Sequence, residues 1–527
     1  MPKPTDEQQM AIDNIDCNVS VSAGAGSGKT AVLKARFLHI LDAGRSKGVK
    51  ASNIVGITFT RKAANEIKSR IREAMLEAMH KGDEAFWEEQ LRELEKAQIN
   101  TIHGVCSRIL KDNPVEANID PSFLVAEEGD YDAFKTQCVW DFLREELAQE
   151  GANSVKALAD ELGTGTLAKY LLDLSKNFNE ILKEKDLASP YRENAGKLKY
   201  YVNHLKDDLE GLISCKNRLG PKTATYKRLQ ILEDSWLDIK TELDQNPPCF
   251  TTFNEAFTLN GRDKQVKEMV YYIRDHIGEI DSSLVDAKAI PLMEHWQKLI
   301  DGLNKYLEER KAEENLVTYD DLEDRAIELL QNYPELRHKY QEKFMYLMVD
   351  EFQDTNEKQR RLIYLLCGDD SENLQGEKLF IVGDPKQSIY RFRGADVDVF
   401  QVVQEEIKAK GGLNISLTMN FRSNDKILGA CNQSFSQLME NTANNPVIFE
   451  ALEVCDAKKN YPVKPELNKI DNEDKTVSEV YQLEARAMAE KMLALAETAR
   501  TSPDYCEGEK SFGKMAVLLR SMNHVND

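Results

Sequence analysis

An α/β fold built on a parallel sheet is predicted by three stretches of this 527-residue chain. They are the glycine-rich AGAGSGKT from Ala23 to Thr30, the run MYLMVDEFQDT that ends in Asp350, Glu351, Gln353 and Asp354, and the short apolar strand Leu379 to Val382 leading into GDPKQSIYRFRGAD. Long stretches of helical periodicity between the first two predict that the sheet is interrupted by a large helical insertion.

The first stretch reads as strand, loop and helix. Asn18 to Ser22 alternates like a short strand, Thr30 to Ala43 carries apolar residues at helical spacing, and Gly44 ends the helix. Gly24, Gly26 and Gly28 allow a tight turn whose N–H groups point inward at phosphates, with the helix N-terminus adding its dipole. Ala23, Gly24, Ala25, Gly26, Ser27 and Gly28 are therefore candidate nucleotide-binding residues, with Lys29 reaching the β- and γ-phosphates and the Thr30 hydroxyl on Mg²⁺. The strict pattern has glycine where this chain has Ala23, and the alternative reading is a plain glycine-rich turn.

Phe344 to Val349 carries no charge, as in a strand buried on both faces, and ligands bind at the carboxyl ends of such strands. Two adjacent carboxylates there have distinct expected jobs: Asp350 holds the metal, and Glu351 orients and deprotonates the attacking water. An acidic first turn on the helix expected from about Thr355 is the bland alternative. After the third strand, Gln387 is a candidate γ-phosphate sensor. Tyr390, Arg391, Phe392 and Arg393 interleave rings and cations, a mixture that suits stacked bases and phosphates of single-stranded nucleic acid.

On these residues the chain resembles the UvrD/Rep/AddA/RecB group of superfamily 1 DNA helicases. TDEQQMAI resembles the adenine-reading segment, with Gln8 in the matching position. ITFTRKAANEIKSRI resembles a DNA-contacting motif containing Phe59, Thr60, Arg61 and Lys62, and INTIHGVC the next one, with His103. LTMNFRS resembles the motif in which Arg422 contacts the γ-phosphate and Phe421 stacks on adenine, and AVLLRS at Ala516 the strand that precedes a further insertion. GDPKQSIYRFRGAD and YDDL are closer to AddA and RecB, helicase subunits of recombination nucleases, than to UvrD.

The resemblance implies a P-loop NTPase (RecA-like) core formed by 1–112 and 312–408, a helical insertion at 113–311, and an incomplete second RecA-like core from 409 to 527. Within the insertion, Tyr131 to Leu147, Tyr170 to Lys185 and His295 to Glu309 have helical spacing. Thr318 with Asp321 reads as a capped helix start, burying Leu322, Ala326, Leu329 and Leu330. The second core is expected to begin with a strand near Asn414 to Leu417, followed by a helix from about Val477 to Arg500. Two further motifs of the group, one carrying an arginine that completes the site, are not found. The expectation is therefore an N-terminal fragment with weak turnover of its own.

The net charge of −21 argues against a polyanion partner only as a sum. Between Ile54 and Arg72 stand Arg61, Lys62, Lys68, Arg70 and Arg72 against Glu66 alone, and such runs are often solvated helix faces. The nine cysteines form no CxxC pair, and no stretch approaches the ~18 apolar residues of a membrane span. The expected protein is a cytoplasmic, 3′–5′ DNA helicase of repair or recombination. It would use ATP and Mg²⁺, act on single-stranded DNA or duplex junctions, and pair with a nuclease subunit of AddB or RecC type. An ATP-regulated DNA-binding module without motor activity, or an unrelated P-loop ATPase, are the other readings.

Overall fold

The computed structural model describes residues 3–149, 153–175, 186–258, 263–368, 371–374, 376–390, 396–439, 449–459, 466, 476–500, 512 and 515–518. The chain divides into two compact units, 1–101 with 340–527, and 102–339.

The first unit is built on strands β1 (Val19–Ala23), β2 (Ile54–Thr58) and β3 (Ile99–Thr101) from before the insertion. The strands β6 (Tyr346–Val349), β7 (Leu379–Gly383) and β8 (Leu413–Leu417) come from after it. They form one six-stranded sheet in the order β3-β2-β6-β7-β1-β8, and every pair is parallel. Every residue of β6 and β7 is buried, the pattern of central strands covered on both faces. Helices Lys29–Ala43, Arg61–Lys81 and Glu84–Leu94 pack their apolar positions, among them Phe37, Ile40, Ile71, Met75 and Trp87, into the core shared with Val21, Met348 and Val382.

The strand at 413–417 does not open a second sheet as expected; it joins this one beside β1, with Val21 in register with Ile415. The reason is local. Helix Val397–Ala409 ends at a glycine pair, where Gly411 has φ +79° and Gly412 donates to Ile407 O at 2.8 Å. A Cβ on Gly412 would stand 2.4 Å from Asn18 O, so only glycine lets the chain turn this close to the entry of β1. Strand β9 (Met419–Asn420) then pairs in parallel with β10 (Glu453–Val454). The helix Val477–Arg500 has the expected bounds, whereas Ala516–Leu518 has no strand pairing.

Among its described residues the second unit forms helices and the short parallel ladder of β4 (Leu124–Val125) and β5 (Leu316–Val317). Its long member, Lys264–Glu313, runs 50 residues, about 75 Å at 1.5 Å per residue. One end contributes Val266, Ile273 and Ile280 to a core with Leu205, Leu209 and Leu229; the other contributes Leu299, Leu303 and Leu307 to a core with Val139, Leu143 and Leu167. Pro291 falls between the two stretches. Thr318 and Asp321 form the expected capping box on helix Tyr319–Asn332, with Leu322, Ala326, Leu329 and Leu330 buried. Among the described residues no helix is long and apolar enough to cross a membrane.

Candidate functional site

Strand β1 delivers the chain into the loop at Gly24, and helix Lys29–Ala43 leaves it. Gly26 (φ +76°) and Gly28 (φ +89°) are left-handed, a conformation that glycine adopts without the Cβ penalty. Ala23 is the last residue of β1, buried and in register with Leu417, so alanine suits a position the strict pattern gives to glycine. Ser27 N–H closes the loop on Gly24 O at 3.1 Å. The Ser27 hydroxyl is buried without a hydrogen-bond partner, a polar atom left for something not of the protein. Lys29 and Thr30 are half-buried at the helix start.

The carboxylates stand at the end of β6. Asp350 N–H donates to Ile57 O at 2.8 Å, prolonging the pairing with β2, and the chain then turns sharply at Glu351, which is left-handed at φ +51°. For a non-glycine residue that costs roughly 1–2 kcal/mol. The turn directs Glu351 Oε2 to Lys29 Nζ at 2.6 Å, and the Gln353 Nε2 amide donates to the same oxygen at 2.9 Å. Asp350 lies against a cavity lined by Leu33, Phe37, Ile57 and Met348. Burial first and the Glu351 charge second push its carboxyl up to about 6, against the pull of Lys29. The same two causes raise Asp354 to about 6, and its Oδ1 is buried without a partner.

Three carboxyl groups thus share one lysine, a surplus of negative charge that a divalent cation relieves. Thr30 and Asp350 are the protein groups suited to Mg²⁺, which keeps most of its ligands as water and phosphate oxygen. Among the described residues no three His, Cys, Asp or Glu side chains form a metal-binding group.

The segment after β8 lies on the loop. Phe421 N–H donates to Gly26 O at 2.9 Å, and Asn420 Nδ2 to Ala25 O at 2.5 Å, while Asn420 Oδ1 accepts from the backbone of Arg422 and Ser423. A Cβ on Gly26 would strike Arg422 Cβ at 2.7 Å, and one on Gly24 would strike Leu452 at 2.4 Å. Phe421 and the exposed Arg422 are thereby held over the glycine loop. Gln8 is there too: buried, it donates to Ser27 O at 2.8 Å and caps its own helix through Thr5. Its polar ends are in use within the protein, so reading an adenine edge falls to its second amide hydrogen or second lone pair. Gln387 lies on the turn after β7 with its amide on Asp384 Oδ2 at 2.7 Å.

Of the residues expected on the DNA side, Phe59 is half-buried with its ring centroid 4.6 Å from that of Tyr390. Thr60 caps helix Arg61–Lys81 by accepting from Ala63 N–H. Arg61 and Lys62 are exposed in the first turn of that helix, where positive charge opposes the helix dipole and an anion would be welcome. The rest of the basic run is different: Lys68 and Arg72 pair with Glu95, and Arg70 with Glu66 at 2.5 Å. Those three belong to a neutralised helix face. His103, in the second unit, sets its ring 4.5 Å from Tyr319 and its Nε2 3.0 Å from the buried Glu323. Arg391, Phe392 and Arg393 lie outside the described residues.

Sequence reasoning gave no role to Gln353, Asp354, Asp384 or Asn420. The Ala25 carbonyl that Asn420 reaches is 395 residues away, beyond any spacing rule.

Residues 4–408 match the family described as the UvrD/REP helicase N-terminal domain. The chain is 29% identical over 481 residues to the AddA subunit of the ATP-dependent helicase/nuclease of Syntrophomonas wolfei, a match covering 82% of this chain and 38% of that protein. It is 28% identical to the protein of the same description from Natranaerobius thermophilus (90% and 40% covered) and 28% identical to that from Geobacillus thermodenitrificans (99% and 48%). The chain spans less than half the length of these relatives.

Proposed function

Because the chain belongs to the UvrD/REP helicase N-terminal domain family, we propose that it is the nucleotide-hydrolysing part of an ATP- and Mg²⁺-dependent DNA helicase of repair or recombination, with 3′–5′ polarity. The observation that carries this reading is the 2.6 Å contact between Lys29 and Glu351, which brings the glycine loop and the carboxylate turn together from 322 residues apart. On this reading the sheet of the first unit is a RecA-like P-loop core, drawn from 1–112 and 312–408 and completed by β8. The segment 113–311 is its insertion, and a second core starts in the residues that follow. The description of the relatives, helicase/nuclease subunits, supports a nuclease partner of AddB or RecC type, and DNA as the substrate is in keeping with a cytoplasmic setting.

The proposed chemistry follows from charges already in place. Lys29 exchanges Glu351 for the β- and γ-phosphates, which frees the Glu351 carboxylate to take a proton from the attacking water. Mg²⁺, held by Thr30 and Asp350, neutralises phosphate charge when bound. Gln387 and Arg422 contact the γ-phosphate, Phe421 stacks on adenine, and Gln8 reads its edge. Phe59, Thr60, Arg61, Lys62, Tyr390, Arg391, Phe392 and Arg393, with His103, hold the DNA strand.

Nucleotide binding and turnover test the assignment. Lys29→Ala abolishes binding of Mg·ATP, whereas Glu351→Gln keeps it and lowers DNA-stimulated hydrolysis by about 10²- to 10⁴-fold, the usual contribution of a general base. Undiminished binding by Lys29→Ala would sink the site. Polarity is read from strand displacement on 3′- and 5′-tailed duplexes; unwinding from the 5′ tail alone would sink that part.

A further inference from the structure

A buried amide at the carboxylate turn takes no part in the chemistry above. Gln353 is 2% exposed. Its Nε2 donates to Glu351 Oε2 at 2.9 Å and reaches Asp354 Oδ2 at 3.4 Å, while its Oε1 accepts the Asp384 N–H at 2.9 Å. Its backbone carbonyl accepts from Ser388 Oγ at 3.2 Å. The orientation is fixed by its neighbours: turned over, the amide would set its oxygen against a carboxylate and its NH₂ against an N–H. The last residue of β7 makes room for it, since a Cβ on Gly383 would stand 2.5 Å from Gln353 Oε1.

This one side chain therefore joins two neighbourhoods. On one side is Glu351, shared with Lys29. On the other is Asp384, whose carboxylate holds Gln387 at 2.7 Å and Lys386 at 3.1 Å, and through the backbone carbonyl Ser388, two residues before the Tyr390 ring that lies tilted against Phe59. When Lys29 turns to phosphate, the Glu351 carboxylate loses its cation and pulls harder on the Gln353 amide. A shift of that amide moves its other end, at Asp384.

We propose that Gln353 is the positioning residue that conveys the state of Glu351 to the Asp384–Tyr390 segment, and so sets the coupling between nucleotide binding and single-stranded DNA binding. The proposal rests on the functional reading above.

The test uses the full chain, a fluorescent oligothymidine, and a non-hydrolysable ATP analogue with Mg²⁺. The DNA dissociation constant is measured with and without the analogue, and the ratio is the coupling. The unaltered chain is expected to show a ratio of at least about 5, the lower end of allosteric couplings. Gln353→Met, of similar volume but without the amide, brings the ratio to within about twofold of unity while each separate affinity changes less than about fivefold. A retained ratio overturns the proposal, and so does collapse of both separate affinities, which would mean a merely structural role. If Gln353→Met does not fold, Ser388→Ala decides: a ratio at least halved supports the proposal, and an unchanged one overturns it. An unaltered chain that binds both ligands without coupling also overturns it, whereas one that binds neither ligand removes the functional reading itself.

Discussion

Lys311 is 5% exposed, and its ammonium lies within 3.0 Å of both Asp321 oxygens and 2.7 Å from Glu308. Burial lowers its pKa, but Asp321 and Glu308 more than offset this and leave it raised. Asp321 shows the mirror image: burial raises it, and Lys311 with the Thr318 backbone N–H and hydroxyl brings it below the usual 3.8. A carboxyl depressed in the folded state contributes stability above its unfolded pKa, lost as pH falls through the folded one; a raised lysine contributes below its unfolded pKa, lost as pH rises through the folded one. The pair therefore acts fully across neutral pH. Lys311→Met should cost about 3–5 kcal/mol at pH 7, the cost of stranding a buried charge. The loss should shrink below pH 4 as Asp321 takes up a proton, read from urea midpoints at both pH values. A loss that is the same at pH 3 as at pH 7 would contradict the assignment. The Thr318–Asp321 cap is legible in sequence because its partners are three residues apart; the Lys311 contact, ten residues off across a turn, is not.

Strands and helices follow from apolar patterning at the level of single elements, and here that patterning located β1, β6, β7 and the helix at 477–500 to within about two residues. What it does not carry is which sheet a strand joins. Leu413–Leu417 has the same pattern whether it edges one sheet or founds another, and the deciding feature is the glycine pair that turns it back beside Asn18. Gly412→Ala should consequently cost about 1–3 kcal/mol, the usual penalty of overpacking. It should also speed amide exchange in β8 more than in β6, as measured by mass spectrometry; equal protection in both would show that the close approach does not hold the strand. The basic helix at 61–81 teaches the same lesson for charge. Arg61 and Lys62 stay exposed, whereas Lys68 and Arg72 find Glu95 on the neighbouring helix, a pairing that no linear count discloses.

At the scale of the whole chain, the two compact units bury apolar clusters among the described residues that include one in the sheet and two along the 50-residue helix. Unfolding is therefore expected in at least two calorimetric transitions. Mg·ATP at 100 times its dissociation constant should raise the transition of the sheet-bearing unit by about 2.7 kcal/mol and leave the helical one in place. A single transition that moves as one with nucleotide would contradict this expectation. The glycine-rich loop and the adjacent carboxylates Asp350 and Glu351 of the candidate site were legible because each is a local sequence feature. The contacts of Gln353 with the Asp384 N–H, 31 residues on, and of Asn420 with the Ala25 carbonyl, 395 residues back, were not, because the fold brings those partners together.

The strand order also has a consequence for synthesis. β1 and β2 are not neighbours: the two places between them belong to β6 and β7, which follow the helical unit. When β3 leaves the ribosome, β1 has neither of its partners, since β7 and β8 are still to be made. With roughly 280 residues separating Thr101 from Gly383 and translation at about 5–20 residues per second, an apolar strand waits tens of seconds with both edges open. The nascent chain is most exposed to aggregation in that interval, and slow codons before residue 340 would lengthen it.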